Sequence, residues 1–191
     1  MIKLSKGQEL ALATDDGQPL TRLVLGLGWD KSRTAGFMGT GAPDIDLDAW
    51  AVEYADGTLF DLAFYNNLAT RDGSVVHQGD NKTGSGGGDD ERLTVDLGKV
   101  YAKADTIVFV VSSYQGHSLE WINNAYWRVL VDDVELARLT ITGGVPETGV
   151  VMAKLFRDGD GDGDGWRLRA IGEGLAVKIP TDSLDALQPF L

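Results

Sequence analysis

Apolar residues recur along this chain in short runs, most of them alternating with polar ones, and each run is closed by a turn signal. "RLVLGLGW" (22–29), "DAWAVEYADG" (48–57), "TLFDLAFY" (58–65), "ERLTVDL" (91–97), "TIVFVVSSY" (106–114), "AYWRVLVDD" (125–133), "VELARLTI" (134–141), "GVVMAKLFRD" (149–158) and "GWRLRAIGEG" (165–174) read as strands. "DDG" at 15–17, "ADG" at 55–57, "RDG" at 71–73 and the tract "DGDGDGDG" at 158–165 supply turns between them. "TIVFVVSS" is apolar on both faces and belongs in the middle of a sheet, and "DAWAVEY" is nearly so. Two pieces have helical character. "HSLEWINNA" can start at Ser118 as N-cap with Trp121 and Ile122 facing inward. "TDSLDALQPFL" can form a short helix capped by Thr181 that docks Leu184 and Leu187 on the body.

Many short strands at this spacing predict a mainly β protein, an antiparallel two-sheet β-sandwich with short helices. With 191 residues the chain suits a single domain, residues 1–191, large enough to bury a core without staples.

Charge and composition narrow the function. The formal net charge is −12, and the 17 basic residues are scattered, so no nucleic-acid partner is expected. There is no cysteine, which excludes disulfides and thiolate metal sites. "MIKLSKGQEL" lacks the apolar run of a signal peptide, and no stretch is apolar enough to span a bilayer. The expectation is a soluble cytoplasmic protein without direct membrane insertion.

Enzyme templates are sparse. His77 and His117 are the only histidines, and they read as surface or packing residues rather than general bases. There is no G-x-S-x-G elbow, and the glycine loop near residue 84 lacks the phosphate-loop pattern.

Hard cations fit better. "HQGDNKTGSGGGDDERL" (77–93) gathers Asp80, Asn81, Asp89, Asp90 and Glu91 on a glycine-rich backbone whose carbonyls can turn onto one point. "PDIDLDA" (43–49) puts Asp44, Asp46 and Asp48 at period two, hence on one face of a strand, with Ile45, Leu47 and Ala49 on the other. Asn66 and Asn67 add two amides after an apolar strand, where turn chemistry is the competing account. The Asp-Gly tract satisfies no EF-hand frame: starting at Asp158, Asp160 or Asp162, position twelve is Arg169, Ile171 or Glu173, and in the last frame position five is Trp166. It reads as the lengthened turn of a hairpin.

Several segments carry a resemblance: "LVLGLGWD", "DIDLDAWAV", "FYNNLATRDGSVVHQGDNKTGSGGGDDE", "INNAYWRVLVDD" and "ETGVVMAKLFRDG…WRLRAIGEG". They run through most of the chain, and the sequence resembles the TerD family of tellurium-resistance and stress-response proteins. The resemblance implies a two-sheet β-sandwich whose loops bind calcium. It also implies a cytoplasmic role in tellurite resistance and chemical stress, with no established catalytic reaction. By the family's motifs the metal ligands are Asp46 and Asp48, the pair Asn66 and Asn67, and Asp80, Asp89, Asp90 and Glu91. Three departures stand out: Trp50 where the family has a small residue, uncharged "GSGGG" where it is acidic, and the Asp-Gly tract as an insertion.

The function expected is a non-catalytic, calcium-binding protein acting through partner proteins of a stress-response complex. The alternatives are a Mg²⁺-dependent hydrolase or phosphoryl-handling enzyme using the same carboxylates, and a plain sandwich with acidic loops and no metal.

Overall fold

The computed structural model describes residues 1–30, 45–79, 88–141, 145–157, 159, 165–177 and 179–191. Twelve strands follow in chain order: β1 (Ile2–Lys3), β2 (Glu9–Ala11), β3 (Arg22–Asp30), β4 (Leu47–Ala55), β5 (Thr58–Ala63), β6 (Val75–His77), β7 (Glu91–Asp96), β8 (Thr106–Ser113), β9 (Asn123–Val131), β10 (Val134–Thr140), β11 (Gly149–Arg157) and β12 (Trp166–Leu175). They form two six-stranded sheets. Sheet A runs β1-β10-β9-β3-β7-β6 and sheet B runs β2-β12-β11-β8-β4-β5. The pairings are antiparallel except β1 with β10, which is parallel. All nine expected strands form. The added ones, β1, β2 and β6, are short segments at sheet edges whose few residues carry no readable alternation.

Turn chemistry sets the hairpins. Asp56 and Gly57 both take positive φ (49° and 69°) between β4 and β5, the conformation that matches the right-handed twist of paired strands. Asp132 and Asp133 do the same between β9 and β10, where short polar side chains tolerate the left-handed region. β11 and β12 pair as the expected hairpin; most of its 158–165 turn lies outside the described residues.

The main core lies between the sheets. Leu23, Leu25 and Leu27 of β3, Leu93 and Val95 of β7, and Trp127 and Val129 of β9 face Ala49 and Ala51 of β4, Ile107 and Phe109 of β8, and Leu155 and Leu168 of sheet B. Strands β4 and β8 are also buried on their second face. Trp50, Val52, Tyr54, Val108 and Val110 form a smaller core on the outside of sheet B, against which Leu184, Leu187, Phe190 and Leu191 pack. That is why both strands read as apolar throughout, and β8 lies inside the sheet as expected.

The helical pieces differ in detail from expectation. Ser118 does cap the first, accepting the Glu120 N–H at 3.2 Å, but the segment Leu119–Trp121 is a single 3-10 turn. Leu119 and Ile122 point inward, whereas Trp121 is 48% exposed. One tight turn followed at once by β9 leaves no second helical turn to bring Trp121 round to the core. At the end of the chain two 3-10 segments form, Pro180–Asp182 and Leu184–Phe190, without a side-chain cap, and Thr181 lies inside the first of them. Pro180 at the start and Pro189 inside favour the short, broken form. Leu187 is fully buried and Leu184 partly so.

Candidate functional site

Of the acidic residues singled out in the sequence, Asp46, Asp48, Asp90 and Glu91 lie at one end of the sandwich, where β3, β4 and β7 meet. Parity along β4 works as expected. Leu47, Ala49 and Ala51 enter the core between the sheets, and Asp46 and Asp48 belong to the opposite set, with Trp50 and Val52. Asp46 and Asp48 are nonetheless buried, at 8% and 4% exposure. Asp46 is fixed through its backbone: its N–H donates to Gln115 Oε1 at 3.0 Å and its carbonyl accepts the Tyr114 N–H at 3.1 Å.

Glu91 comes from the other sheet. On β7 it shares the inward parity of Leu93 and Val95 and is 1% exposed. Pairing of β5 with β4 ends at Ala51 and Ala63, leaving the Ala49 N–H beyond the last rung. Glu91 Oε2 accepts that N–H at 2.5 Å, so a sheet A carboxylate closes the open edge of sheet B directly beside Asp48. His77, at the end of β6, stands behind Glu91. Its Nε2 lies 3.7 Å from Glu91 Oε2, and its Nδ1 accepts the Gly79 N–H at 3.1 Å.

Asp90 joins the same end through Trp29. Its Oδ2 accepts the Trp29 N–H at 3.1 Å, while the Trp29 indole N–H donates to the Ile45 carbonyl at 3.1 Å, one residue before Asp46. Burial pushes the Asp90 carboxyl up; the Trp29 N–H opposes this, and the charges of Asp30 and Asp89 add to it. Tyr65 lies near Asp48: its hydroxyl is pushed up by burial and then by the Asp48 charge, and its ring meets Tyr114 edge-on at 5.5 Å.

The remaining sequence candidates are placed differently. Asp89 turns to the outside of sheet A. Its Oδ1 lies 2.7 Å from Arg128 Nε and its Oδ2 3.0 Å from Arg92 Nε, and the Tyr126 hydroxyl adds a bond at 3.2 Å. Asn67 is held in a tight turn, with reciprocal 2.9 Å backbone bonds to Phe64 and its amide donating to the Leu62 carbonyl at 2.6 Å. Asn66 is exposed in the same turn. Asp44 and Asp80 lie outside the described residues. Among the described residues, no three His, Asp or Glu side chains are grouped closely enough to hold a metal on their own.

Sequence reasoning set His77 aside as a packing residue. The structure makes it a neighbour of Glu91, and the available signal was its place two residues after Val75, on the inward parity of an edge strand. Glu53 was also passed over. It is fully buried on the inner face of β4, with Ser74, just before β6, donating to its Oε1. Burial pushes its carboxyl up to about 7, against the Ser74 hydrogen bond and reinforced by the charges of Asp72 and Asp61.

Comparison with known proteins agrees with this architecture. A family model, the TerD domain, matches residues 1–181. The chain is 37% identical to tellurium resistance protein TerD of Serratia marcescens over 186 residues, covering 92% of this chain and 91% of that protein. It is 35% identical to stress response protein SCP2 of Bacillus subtilis (strain 168) over 188 residues, covering 91% and 92%. The solved structure of a homologue of telluride resistance protein (TerD) from Streptomyces coelicolor A3(2) superposes with a TM-score of 0.69 at 20% identity. It covers 86% of this chain and 95% of that one, a likeness of fold. The two-sheet sandwich, the acidic motifs in order along it and these matches together make the chain a member of the TerD domain family of tellurium-resistance and stress-response proteins.

Proposed function

We propose that this chain is a calcium-binding, non-catalytic protein of the tellurite-resistance and chemical-stress response, acting in the cytoplasm through partner proteins. One observation carries the reading. The carboxylates of Asp46, Asp48 and Glu91, at 8%, 4% and 1% exposure, come from both sheets to the same end of the sandwich. Burying carboxylates near one another is costly unless hydrogen bonds or a cation offset their charge. The donors are hard oxygens, which suit Ca²⁺.

Asp46, Asp48, Asp90 and Glu91 would hold the ion, with backbone carbonyls and water completing six to eight oxygens. Bound there, the ion supplies charge neutralisation and a tie between β4 and β7. Asp89 serves this reading as an anchor, fixing the end of the glycine-rich loop to Arg128 and Arg92. Asn67 serves as a turn residue. No helix among the described residues is long and apolar enough to cross a membrane.

Titration calorimetry of chelator-treated protein tests the reading. Ca²⁺ should bind and Mg²⁺ should bind more weakly, and Asp48→Asn and Glu91→Gln should each weaken Ca²⁺ binding. Heat identical to buffer dilution for both ions would overturn it.

A further inference from the structure

The outer face of sheet B holds a second feature, remote from the acidic end. Lys154 of β11 and Arg169 of β12 are direct cross-strand partners. Like charges placed opposite one another across an antiparallel pair destabilise it. This chain has 29 acidic side chains against 17 basic ones, so neutralising partners are plentiful. Yet among the described residues neither cation has a carboxylate at ion-pair distance. Glu9 of β2, the direct cross-strand partner of Arg169 on its other side, makes its ion pair with Arg167 at 3.2 Å. Lys6 is paired with Glu173 at 3.0 Å.

The two cations line a cavity of about 270 Å³. Its rim carries the Lys6–Glu173 ion pair and Gly7, and the rest of its wall is largely apolar: Ala170 and Ile171 from β12, Pro189, Phe190 and Leu191 from the end of the chain. The Lys154 amine is half-buried beside the Phe156 ring, 5.5 Å from its centre. Burial, and after it the Arg169 charge, lowers its proton affinity, while Glu9 and Asp105 act weakly the other way. Two cations without a carboxylate at ion-pair distance among the described residues, set beside a largely hydrophobic wall, make a concave site of two chemistries.

We propose that this cavity binds a small organic anion, with a phosphate or carboxylate head between Lys154 and Arg169 and an apolar body against Ile171, Pro189 and Phe190. The site is independent of the acidic end. Lys154 aligns with Val108 of β8, whereas Asp48 aligns with Ser112, four residues further along the same strand and beyond it on β4. The anion would give the two cations a shared counter-charge, and charge-assisted bonds from a guanidinium and an ammonium favour a doubly charged head.

Amide NMR titrations of the full chain with inorganic phosphate, phenyl phosphate and benzoate test this. Phenyl phosphate should shift the amides around residues 154 and 169–171 and bind about fivefold or more tightly than inorganic phosphate, because only it fills the apolar wall. Lys154→Met and Arg169→Gln should each weaken it about tenfold. Arg22→Gln, on the other sheet, should leave it unchanged. Equal weakening by Arg22→Gln, or no shift at those amides, would overturn the proposal. A second readout is thermal stability in low salt. Lys154→Met should raise the melting temperature of the ligand-free protein by relieving repulsion, and saturating phenyl phosphate should cancel that advantage. A lowered melting temperature that phenyl phosphate does not affect would make the pair structural and end the proposal.

Discussion

Asp89 lies over Gly26 on the outer face of sheet A, with its Oδ1 2.7 Å from Arg128 Nε. Arg92, Gly26 and Arg128 form one row across β7, β3 and β9, so the glycine is the gap that the carboxylate fills between two guanidinium groups. Any Cβ at residue 26 would overlap the Asp89 carboxylate. Beyond Arg128 the network continues through Glu135 at 3.1 Å to Arg138 at 2.6 Å, and the two guanidinium groups hold the Glu135 carboxyl down to about 2.

Breaking this arrangement from one side should be costly. The Asp89 side chain is fully buried and that of Arg128 only 18% exposed, so Asp89→Ala should destabilise the fold by about 3–5 kcal/mol. Gly26→Ala should also destabilise, and the two changes should be strongly non-additive because both displace the same carboxylate. Urea denaturation in the presence of chelator compares the parent, the two single variants and the double variant, and additive losses would show that Gly26 and Asp89 do not share a site.

Calcium should couple β4 to β7. In a double-mutant cycle of Asp48→Asn and Glu91→Gln, the coupling in calcium should exceed about 0.5 kcal/mol, beyond the usual scatter of independent sites. Asp48→Asn with Asp89→Asn should be closer to additive for calcium affinity, since Asp89 is engaged by arginines. At free calcium about a hundredfold above the dissociation constant the fold should gain about 2.7 kcal/mol. An unchanged melting temperature after chelation would contradict this.

Glu53 sets a pH dependence of its own. Its folded pKa, about 7, lies above the ordinary 4.5, because burial disfavours the charged form. The protonated acid is therefore the form that the fold favours. Its contribution is complete below pH 4.5 and is lost as the pH rises toward 7, a loss of up to about 3 kcal/mol. Glu53→Gln should flatten the stability profile across that window and leave the protein more stable than the parent at pH 8. Parallel profiles for the two proteins would refute the assignment.

The C-terminal segment should be an integral part of sheet B. Leu187 is fully buried against the outer cluster that includes Trp50 and Val52, so Leu187→Ala should cost about 2–5 kcal/mol. Hydrogen exchange should show the loss concentrated in β4 and β8. An effect below about 1 kcal/mol, with exchange unchanged, would mean that the segment only rests on the sheet.

The sequence by itself determined the local elements of this protein. Side chains alternate with period two in a strand, so Leu23, Leu25 and Leu27, or Leu93 and Val95, announce both a strand and its inner face. Asp56 and Gly57 announce a hairpin because few other residues accept positive φ. The acidic clusters and their family likeness were legible for the same reason, being contiguous in the chain. Only the tertiary structure decided which acid meets which partner. Asp89 and Glu91 are two residues apart, yet one is claimed by Arg128 on the outside of sheet A and the other closes the edge of β4 from within. His77 and Glu53 acquired their surroundings from other segments of the chain, Glu91 on β7 and Ser74 beside β6. Periodicity records the exposure of a side chain to the medium it was selected for; it holds no record of the strand that will lie across from it. Strand order within sheet A fixes Asp89 against Arg128 and His77 beside Glu91, and the stacking of the two sheets fixes Glu91 against Ala49 and Ser74 against Glu53.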